Sequence, residues 1–342
     1  MSWGIHNSKA GCCILSAVST KVRWGVLGVA RIATNKVIPA MLDSDWSEIT
    51  AIASRSLHKA KETAASLGIP KAYGSYEALL QDPEIEAIYN PLPNHLHVSW
   101  SIRAAEAGKH VLCEKPISLS VADAKRLLEV RDRTGVKIQE AFMVRTHPQW
   151  LGALEIARSG KIGPVRSILG YFSYFNEDPE NIRNMPDIGG GALMDIGCYL
   201  INTSRLIFGE EPRRVMGLVD KDPNFGTDRT TSMILDYPSG HCVGTCSTQM
   251  AAYQRIHIFG TRGRLEIEIP FNAPNDRPCR IFVDGELRDF ARCDQYRIQG
   301  DLFSQAIRHN TAVPVPLEDA IHNMRAIEAV FRSAKTGAWE AP

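Results

Sequence analysis

The sequence lacks three features that would each point to a particular class of protein. Its 39 lysines and arginines nearly balance 38 aspartates and glutamates, so no strong net charge is available to hold nucleic acid or an anionic membrane. No apolar run approaches the length that spans a bilayer. Its eight cysteines include no pair separated by two residues, which argues against a zinc site and favours reduced thiols in a cytoplasmic protein. We therefore expect a small-molecule partner.

The length and the apolar pattern predict two domains after a short tail. Residues 1–20 contain a brief apolar run without a preceding basic segment, so we expect a disordered tail rather than an export signal. From residue 21 to 145, short runs rich in valine and isoleucine alternate with amphipathic stretches, which is typical of parallel strand–helix–strand units. Strands are expected at 24–27, 49–53, 87–89, 111–113 and 138–141, and helices at 57–67 and 120–134.

The pattern changes in residues 146–342. One helix is expected at 150–159, followed by strand-like segments that include 165–174, 232–237 and 264–269. Turn sequences at 238–240 and 284–285 separate some of the later strands, as in antiparallel hairpins. Two helices, at 295–310 and 317–335, close the chain. The sequence thus predicts a second sheet with its own helices.

The turn after the first strand is a candidate nucleotide site. A helix start close to such a turn offers N–H groups and a favourable dipole to a pyrophosphate. The common fingerprint has glycine where this chain has Ala30 and Ala33, so an ordinary strand–helix turn is the alternative. The second strand ends in serine and arginine instead of an acid, which favours the 2′-phosphate of NADP over NAD; Arg55 as a merely solvated residue is the competing interpretation. The expected cofactor contacts here are Gly28, Ala30, Arg31, Ile32, Ser54 and Arg55.

Two more clusters follow predicted strands, where an open parallel sheet binds its ligands. One is Pro91-Leu92-Pro93-Asn94-His95-Leu96-His97, and the other is Cys113-Glu114-Lys115-Pro116. By default, a lysine in such a position is only a surface charge. Further along, a helix over residues 192–208 would place Asp195 and Tyr199 four residues apart on one face.

These clusters, in this order and with the turn at Gly28, resemble the Gfo/Idh/MocA family of oxidoreductases, over about residue 22 to the C terminus. The resemblance implies an α/β fold: an N-terminal Rossmann domain with a doubly wound parallel sheet, and a C-terminal α+β domain with an open, mostly antiparallel mixed sheet. It implies that the nicotinamide and the substrate lie between the domains. Tyr199 is similar to the tyrosine of the branch that contains sugar and dihydrodiol oxidoreductases, where other members carry histidine.

The resemblance also implies roles for individual residues. Lys115 would be the catalytic lysine, and Tyr199 would accept the hydroxyl proton with its help, because a nearby cation favours phenolate. Asp195 would orient the sugar or the tyrosine. Arg145 and His147 are candidate substrate contacts. His95 and His97 could bind a metal, but no third ligand is apparent, so we expect none. The further expected cofactor contacts are Leu92, Pro93, Asn94, His97, Glu114 and Lys115.

The predicted function is hydride transfer between NADP, or NAD, and a sugar or cyclic polyol. Candidate substrates are an aldose such as xylose or glucose, an anhydro-ketose, a nucleotide-linked keto-sugar and a trans-dihydrodiol. The alternative is a sensor that binds the cofactor without turnover, although a sensor needs no proton-transfer pair such as Lys115 and Tyr199. Because relatives pair through the second sheet, a homodimer or homotetramer is expected.

Overall fold

The computed structural model describes residues 21–342, so the tail expected over residues 1–20 lies outside the described residues. The first sheet has six parallel strands in the order β3-β2-β1-β4-β5-β6, which confirms the predicted doubly wound arrangement. Its strands are β1 Val22–Leu27, β2 Ser47–Ala53, β3 Lys71–Tyr73, β4 Ala87–Asn90, β5 His110–Cys113 and β6 Ile138–Glu140.

Helices cover both faces of this sheet because side chains of alternate strand residues are apolar on both sides. Val26 packs into a buried cluster on one face, whereas Leu27 packs into a separate cluster on the other. Ser120 caps one of these helices as predicted, since its hydroxyl accepts from the Asp123 N–H at 3.1 Å. The helices are α1 Ile38–Leu42, α2 Leu57–Leu67, α3 Tyr76–Leu80, α4 Asn94–Glu106 and α5 Val121–Thr134, with α1 continuing a π-helical turn at Ala33–Val37.

The second sheet has eight strands in the order β14-β13-β12-β11-β7-β10-β9-β8. Only the pairing of β10 with β7 is parallel among these described strands, which confirms a mixed, mostly antiparallel sheet. The strands are β7 Val165–Phe175, β8 Arg214–Lys221, β9 Asp228–Asp236, β10 His241–Ser247, β11 Gln249–Gly260, β12 Arg264–Ile267, β13 Cys279–Val283 and β14 Glu286–Phe290.

Four helices complete the chain: α6 Pro148–Arg158, α7 Cys198–Phe208, α8 Gln295–Arg308 and α9 Leu317–Thr336. Helix α7 lies directly on the second sheet, and the strands leave room for it with glycine. A Cβ on Gly170 would stand 2.7 Å from Leu200 Cδ2, and one on Gly244 would stand 3.1 Å from Leu200 Cδ1. This close packing fixes the start of α7, and with it Asp195 and Tyr199.

Helix α8 returns to the first sheet, although the sequence places it far into the second half of the chain. Its Phe303 ring lies 5.5 Å from that of Trp24 in β1, and the Trp24 indole donates to Ser304 Oγ at 3.1 Å. The C-terminal part of the chain therefore completes the core of the N-terminal sheet. None of the helices between residues 21 and 342 has the length and apolar character needed to cross a bilayer.

Candidate active site

Gly28 shapes the turn between β1 and the first helix. Its φ of +86° is one that side chains disfavour, and a Cβ there would stand 3.0 Å from Leu92 Cδ2. Its N–H donates to Ala53 O at 2.7 Å, which ties the turn to the end of β2. The helix that follows begins at Arg31, so its free N–H groups face the same groove as Gly28.

Basic side chains mark one end of this groove. Ser54 and Arg55 follow β2, and Lys59 lies one turn into α2; all three line the same cavity as Gly28. Arg55 and Lys59 are exposed. Ser54 and Arg55 were predicted from the sequence, but Lys59 was not. Its N–H donates to Oγ of the capping residue Ser56 at 3.4 Å, which places Lys59 in the first turn of α2, just after Arg55. This end of the groove suits an anionic group.

His97 joins the two loops that carry the motifs. Its buried ring lies between two carbonyl oxygens, with Nδ1 2.8 Å from Pro116 O and Nε2 2.6 Å from Leu92 O. Burial lowers the pKa of His97 to about 4, so the ring is neutral and donates to one carbonyl only. His95, in contrast, is exposed. The two histidines do not form a metal pair, and no group of His, Cys, Asp or Glu over residues 21–342 has an arrangement that could hold a metal.

Lys115 reaches from the end of β5 to Asp195 at the start of the α7 segment. Its ammonium donates to Asp195 O at 2.6 Å and to Asp195 Oδ1 at 3.2 Å. Burial opposes the charge, but the Asp195 carboxylate raises the pKa of Lys115 above its usual value. The neighbouring Glu114 accepts from the Tyr89 hydroxyl at 2.7 Å. Lys115 is thus held as a cation at the edge of both domains.

Asp195 is bound by two further side chains that the sequence did not suggest. Tyr174 of β7 donates to its Oδ2 at 2.7 Å, and Arg183 Nε donates to the same oxygen at 3.1 Å. Despite burial, Arg183 and Lys115 hold the pKa of Asp195 well below its usual range. Neither Tyr174 nor Arg183 is linked to Asp195 by helical or strand spacing, so no periodic signal in the sequence could have identified them.

Tyr199 lies against Lys115 through its ring. The ammonium is 5.0 Å from the ring centroid, a cation–π arrangement, and the hydroxyl donates to Met143 Sδ at 3.4 Å. Aromatic rings surround it, with the centroids of Phe142, Phe172 and Phe271 at 5.2, 5.9 and 5.3 Å. Burial raises the pKa of Tyr199 well above its ordinary value, so the phenol is protonated here, in contrast to the phenolate that a nearby cation would favour.

Arg145 and His147 do not reach this site. Arg145 Nη1 pairs with Asp319 Oδ2 at 3.1 Å, which directs the side chain toward α9. His147 Nδ1 accepts from the Gln149 N–H at 3.2 Å and caps α6. Neither residue lines the cavity that holds the other predicted site residues.

A single cavity of about 820 Å³ connects the groove to the Lys115 region. Its walls include residues 28–32, Leu92, Pro93 and Asn94, and also Lys115, Asp195 and Tyr199. Lys115 follows β5, which lies three strands along the sheet from β2, the strand that Arg55 follows. The loop between β7 and α7 covers one side, and Asn94 Nδ2 donates to Gly189 O of that loop at 2.8 Å. The spread of this lining across the sheet, the turn at Gly28 and the basic residues after β2 fit a dinucleotide with a substrate beside it.

The family comparisons agree with this geometry. Residues 22–142 match the model of an oxidoreductase family with an NAD-binding Rossmann fold, GFO_IDH_MocA, and residues 150–266 match a C-terminal domain of the same family. The uncharacterized oxidoreductase ORF334 of Rhizobium meliloti is 50% identical, with 93% of this chain and 98% of the relative covered. The NADP-dependent D-xylose 1-dehydrogenase 2 of Haloferax volcanii is 38% identical, with 92% and 98% covered.

Solved structures show the same fold. An aldose-aldose oxidoreductase of Caulobacter crescentus superimposes with a TM-score of 0.87 at 26% identity, covering 94% of this chain and all of that one. The 3-ketoreductase KijD10 of Actinomadura kijaniata, solved with NADP and TDP-benzene, gives 0.86 at 29% identity, covering 92% and 98%. Crystal structures of KijD10 variants include one with a substituted lysine and one with a substituted tyrosine. Those two positions are 84 residues apart, as are Lys115 and Tyr199 in this chain.

Proposed function

The chain belongs to the Gfo/Idh/MocA oxidoreductase family, and on that basis we propose that it transfers hydride between NADP and a hydroxyl-bearing carbon of a free aldose such as xylose or glucose. The observation that carries the proposal is the position of Lys115, Asp195 and Tyr199 at one end of a cavity whose other end is basic. NAD is the alternative cofactor, and an anhydro-ketose, a nucleotide-linked keto-sugar and a trans-dihydrodiol are the alternative substrates.

The cofactor would bind along the groove of the first domain. Arg55 and Lys59 would hold the 2′-phosphate of NADP, because no carboxylate follows β2 to accept a ribose hydroxyl, and the helix start at Arg31 would face the pyrophosphate. When bound, the nicotinamide supplies or accepts the hydride. A relative that carries NADP in its name and one solved with NADP support this choice.

Lys115 and Tyr199 would handle the substrate oxygen and its proton. Lys115 remains an ammonium because Asp195 pairs with it, so it donates to the oxygen and stabilises negative charge there. Tyr199 is a neutral phenol, and among the described residues its hydroxyl donates to a thioether, a weak acceptor. A substrate oxygen is a better acceptor and would displace that contact. In reduction Tyr199 donates its proton to the forming hydroxyl, and in oxidation the proton moves back.

The lining near Lys115 supports a neutral, hydroxyl-rich substrate. Asn176, Asn181 and Asn272 line the cavity, as do Asp178 and Glu180. All but Asn272 belong to the segment between Tyr174 and Arg183, two residues that contact Asp195. Amides and carboxylates bind hydroxyl groups, whereas two carboxylates repel the diphosphate of a nucleotide-linked sugar. Met143, Phe172 and Ile196 also line the cavity and would contact the apolar face of a sugar ring or a dihydrodiol ring. The amide and carboxylate lining favours a free aldose over a nucleotide-linked sugar.

Turnover of a substrate panel tests the proposal. Purified protein with NADP or NAD is mixed with xylose, glucose, a dTDP-linked keto-sugar and a trans-dihydrodiol while the nicotinamide absorbance is followed. We expect oxidation of an aldose with NADP and its loss in Lys115→Ala, with cofactor binding retained. Cofactor binding without turnover of any panel member would favour the sensor instead. Loss of folding in Lys115→Ala would make Lys115 a structural residue.

We also propose that the protein is a homodimer or homotetramer whose subunits meet through the outer face of the second sheet. Helices α7 and α9 cover the inner face. On the outer face, Leu169, Val243 and Ile234 form a row across three adjacent strands, each about two-fifths exposed, and Leu218 is 73% exposed nearby. A continuous apolar row of this kind on a sheet is typical of a subunit interface.

A further inference from the structure

The Asp195 carboxylate receives side chains from three separate segments. Lys115 comes from the loop after β5, Tyr174 from the end of β7, and Arg183 from the loop between β7 and α7. Asp195 itself is 13% exposed in its side chain. Through these partners, the Asp195 carboxylate connects the first domain, the second sheet and the loop that covers the cavity.

The three partners divide the two carboxylate oxygens unequally. Oδ1 accepts from Lys115 at 3.2 Å, whereas Oδ2 accepts from both Tyr174 at 2.7 Å and Arg183 at 3.1 Å. A carboxylate with one free oxygen rotates readily about its last bond. Two donors on Oδ2 oppose that rotation and keep Oδ1 directed at the ammonium, whose second acceptor is the backbone oxygen of Asp195.

We propose that Tyr174 and Arg183 are positioning residues for the reaction: by holding Oδ2 of Asp195 they fix Oδ1, and through it the Lys115 ammonium, where it meets the substrate oxygen. This inference rests on the proposed function, because it assigns Lys115 a substrate to meet. Tyr174 cannot itself accept the substrate proton while its own proton is engaged by Asp195.

The charges around Asp195 predict what each substitution does. The groups that face it are the cations Lys115 and Arg183, the Tyr174 phenol and the Cys198 thiol of its own helix, with Glu114 beside Lys115. Removing Arg183 takes away one of two cations that keep Asp195 ionised, and removing the Tyr174 hydroxyl takes away a hydrogen bond to the ionised form. Both changes therefore raise the pKa of Asp195, and both free Oδ2 to turn.

The kinetic test compares Tyr174→Phe and Arg183→Met with matched controls. Tyr171→Phe removes a hydroxyl from the same strand that contacts only Met250 Sδ, and Arg166→Met removes an exposed guanidinium of β7. We expect kcat to fall about tenfold or more in the two test variants, the acidic limb of the kcat profile to move to higher pH, and KM for NADP to stay unchanged. Arg183→Lys should return the acidic limb to its wild-type pH because it restores the positive charge beside Asp195.

A second readout does not require turnover. Carbon-13 labelling of aspartate carboxyls, with the Asp195 signal assigned from Asp195→Asn, follows its titration by NMR. We expect the signal to titrate at higher pH in Tyr174→Phe and Arg183→Met than in the wild type or the controls. Unchanged titration would overturn the proposal, even if no substrate is found. Shifted titration without turnover on any sugar would contradict the proposed function instead. A raised sugar KM with an unshifted pH profile would make Tyr174 a substrate contact and overturn its positioning role.

Discussion

Removing the two basic side chains that follow β2 should weaken the preference for NADP over NAD without harming catalysis. Arg55 and Lys59 are exposed, so each contact with a 2′-phosphate is partly screened by solvent. A charge-assisted, forked contact from Arg55 is worth about 1.5 kcal/mol, or about tenfold in affinity. A more exposed contact from Lys59 is worth about 0.5 kcal/mol, or two- to threefold. The double variant Arg55→Ala/Lys59→Ala should therefore lose about 20- to 30-fold in kcat/KM for NADP.

The assay is the ratio of kcat/KM with NADP to that with NAD, measured on one sugar. NAD lacks the 2′-phosphate, so its kcat/KM should stay within about twofold of the wild type. Lys61→Ala is the control, because Lys61 is an exposed cation on the same helix that does not line the cavity. The fall for NADP should also shrink at high salt. An unchanged ratio, or an equal loss with both cofactors, would refute the assignment of this end to the 2′-phosphate.

Three further substitutions test the site, the core and the assembly. Tyr199→Phe keeps the ring against Lys115 but removes the proton, so kcat should fall about 10²- to 10⁴-fold at unchanged cofactor affinity; an unchanged rate would remove Tyr199 from the mechanism. Burial raises the pKa of Asp228 to about 6, above its unfolded value, so its ionisation costs stability as pH rises from about 4 through 6. Asp228→Asn removes that cost. The difference in urea unfolding free energy, variant minus wild type, should therefore rise by up to about 3 kcal/mol between about pH 4 and 6; a pH-independent difference would contradict this. Val243→Glu places a charge in the proposed interface and should yield monomers in light scattering, whereas an unchanged mass would exclude this face.

The sequence predicted the first sheet and most of the residues at its carboxyl edge that line the cavity, for a simple physical reason. Parallel strands end at one edge, so motifs that follow different strands meet there without further information. Lys115 and the loop at Asn94 are examples. The short strand β3 was missed because its three residues are only half-buried and carry no apolar alternation. Helix α8 showed its periodicity, but nothing local indicates that Phe303 packs on Trp24, 279 residues away.

The substrate side was harder to predict because irregular chain supplies it. Arg183 lies in a loop, and Tyr174 is one of several polar residues in an alternating strand, so their approach to Asp195 depends on tertiary packing alone. For the same reason Arg145 and His147 were sensible candidates on position, yet an acidic partner on α9 and a helix cap hold them elsewhere. Sequence spacing indicates which residues are near the cleft but not the direction of their side chains.

The reacting end of the cavity exists only when both halves of the chain are folded together. Lys115 is delivered by the first sheet, yet the carboxylate that orients it and the ring that it covers belong to the second domain. The proposed cofactor contacts Gly28, Arg55 and Lys59 all lie in the first domain, so we expect cofactor binding to depend mainly on that domain. Catalysis, in contrast, should depend on both domains, because Lys115 and its counterion Asp195 come from opposite sides of the cleft.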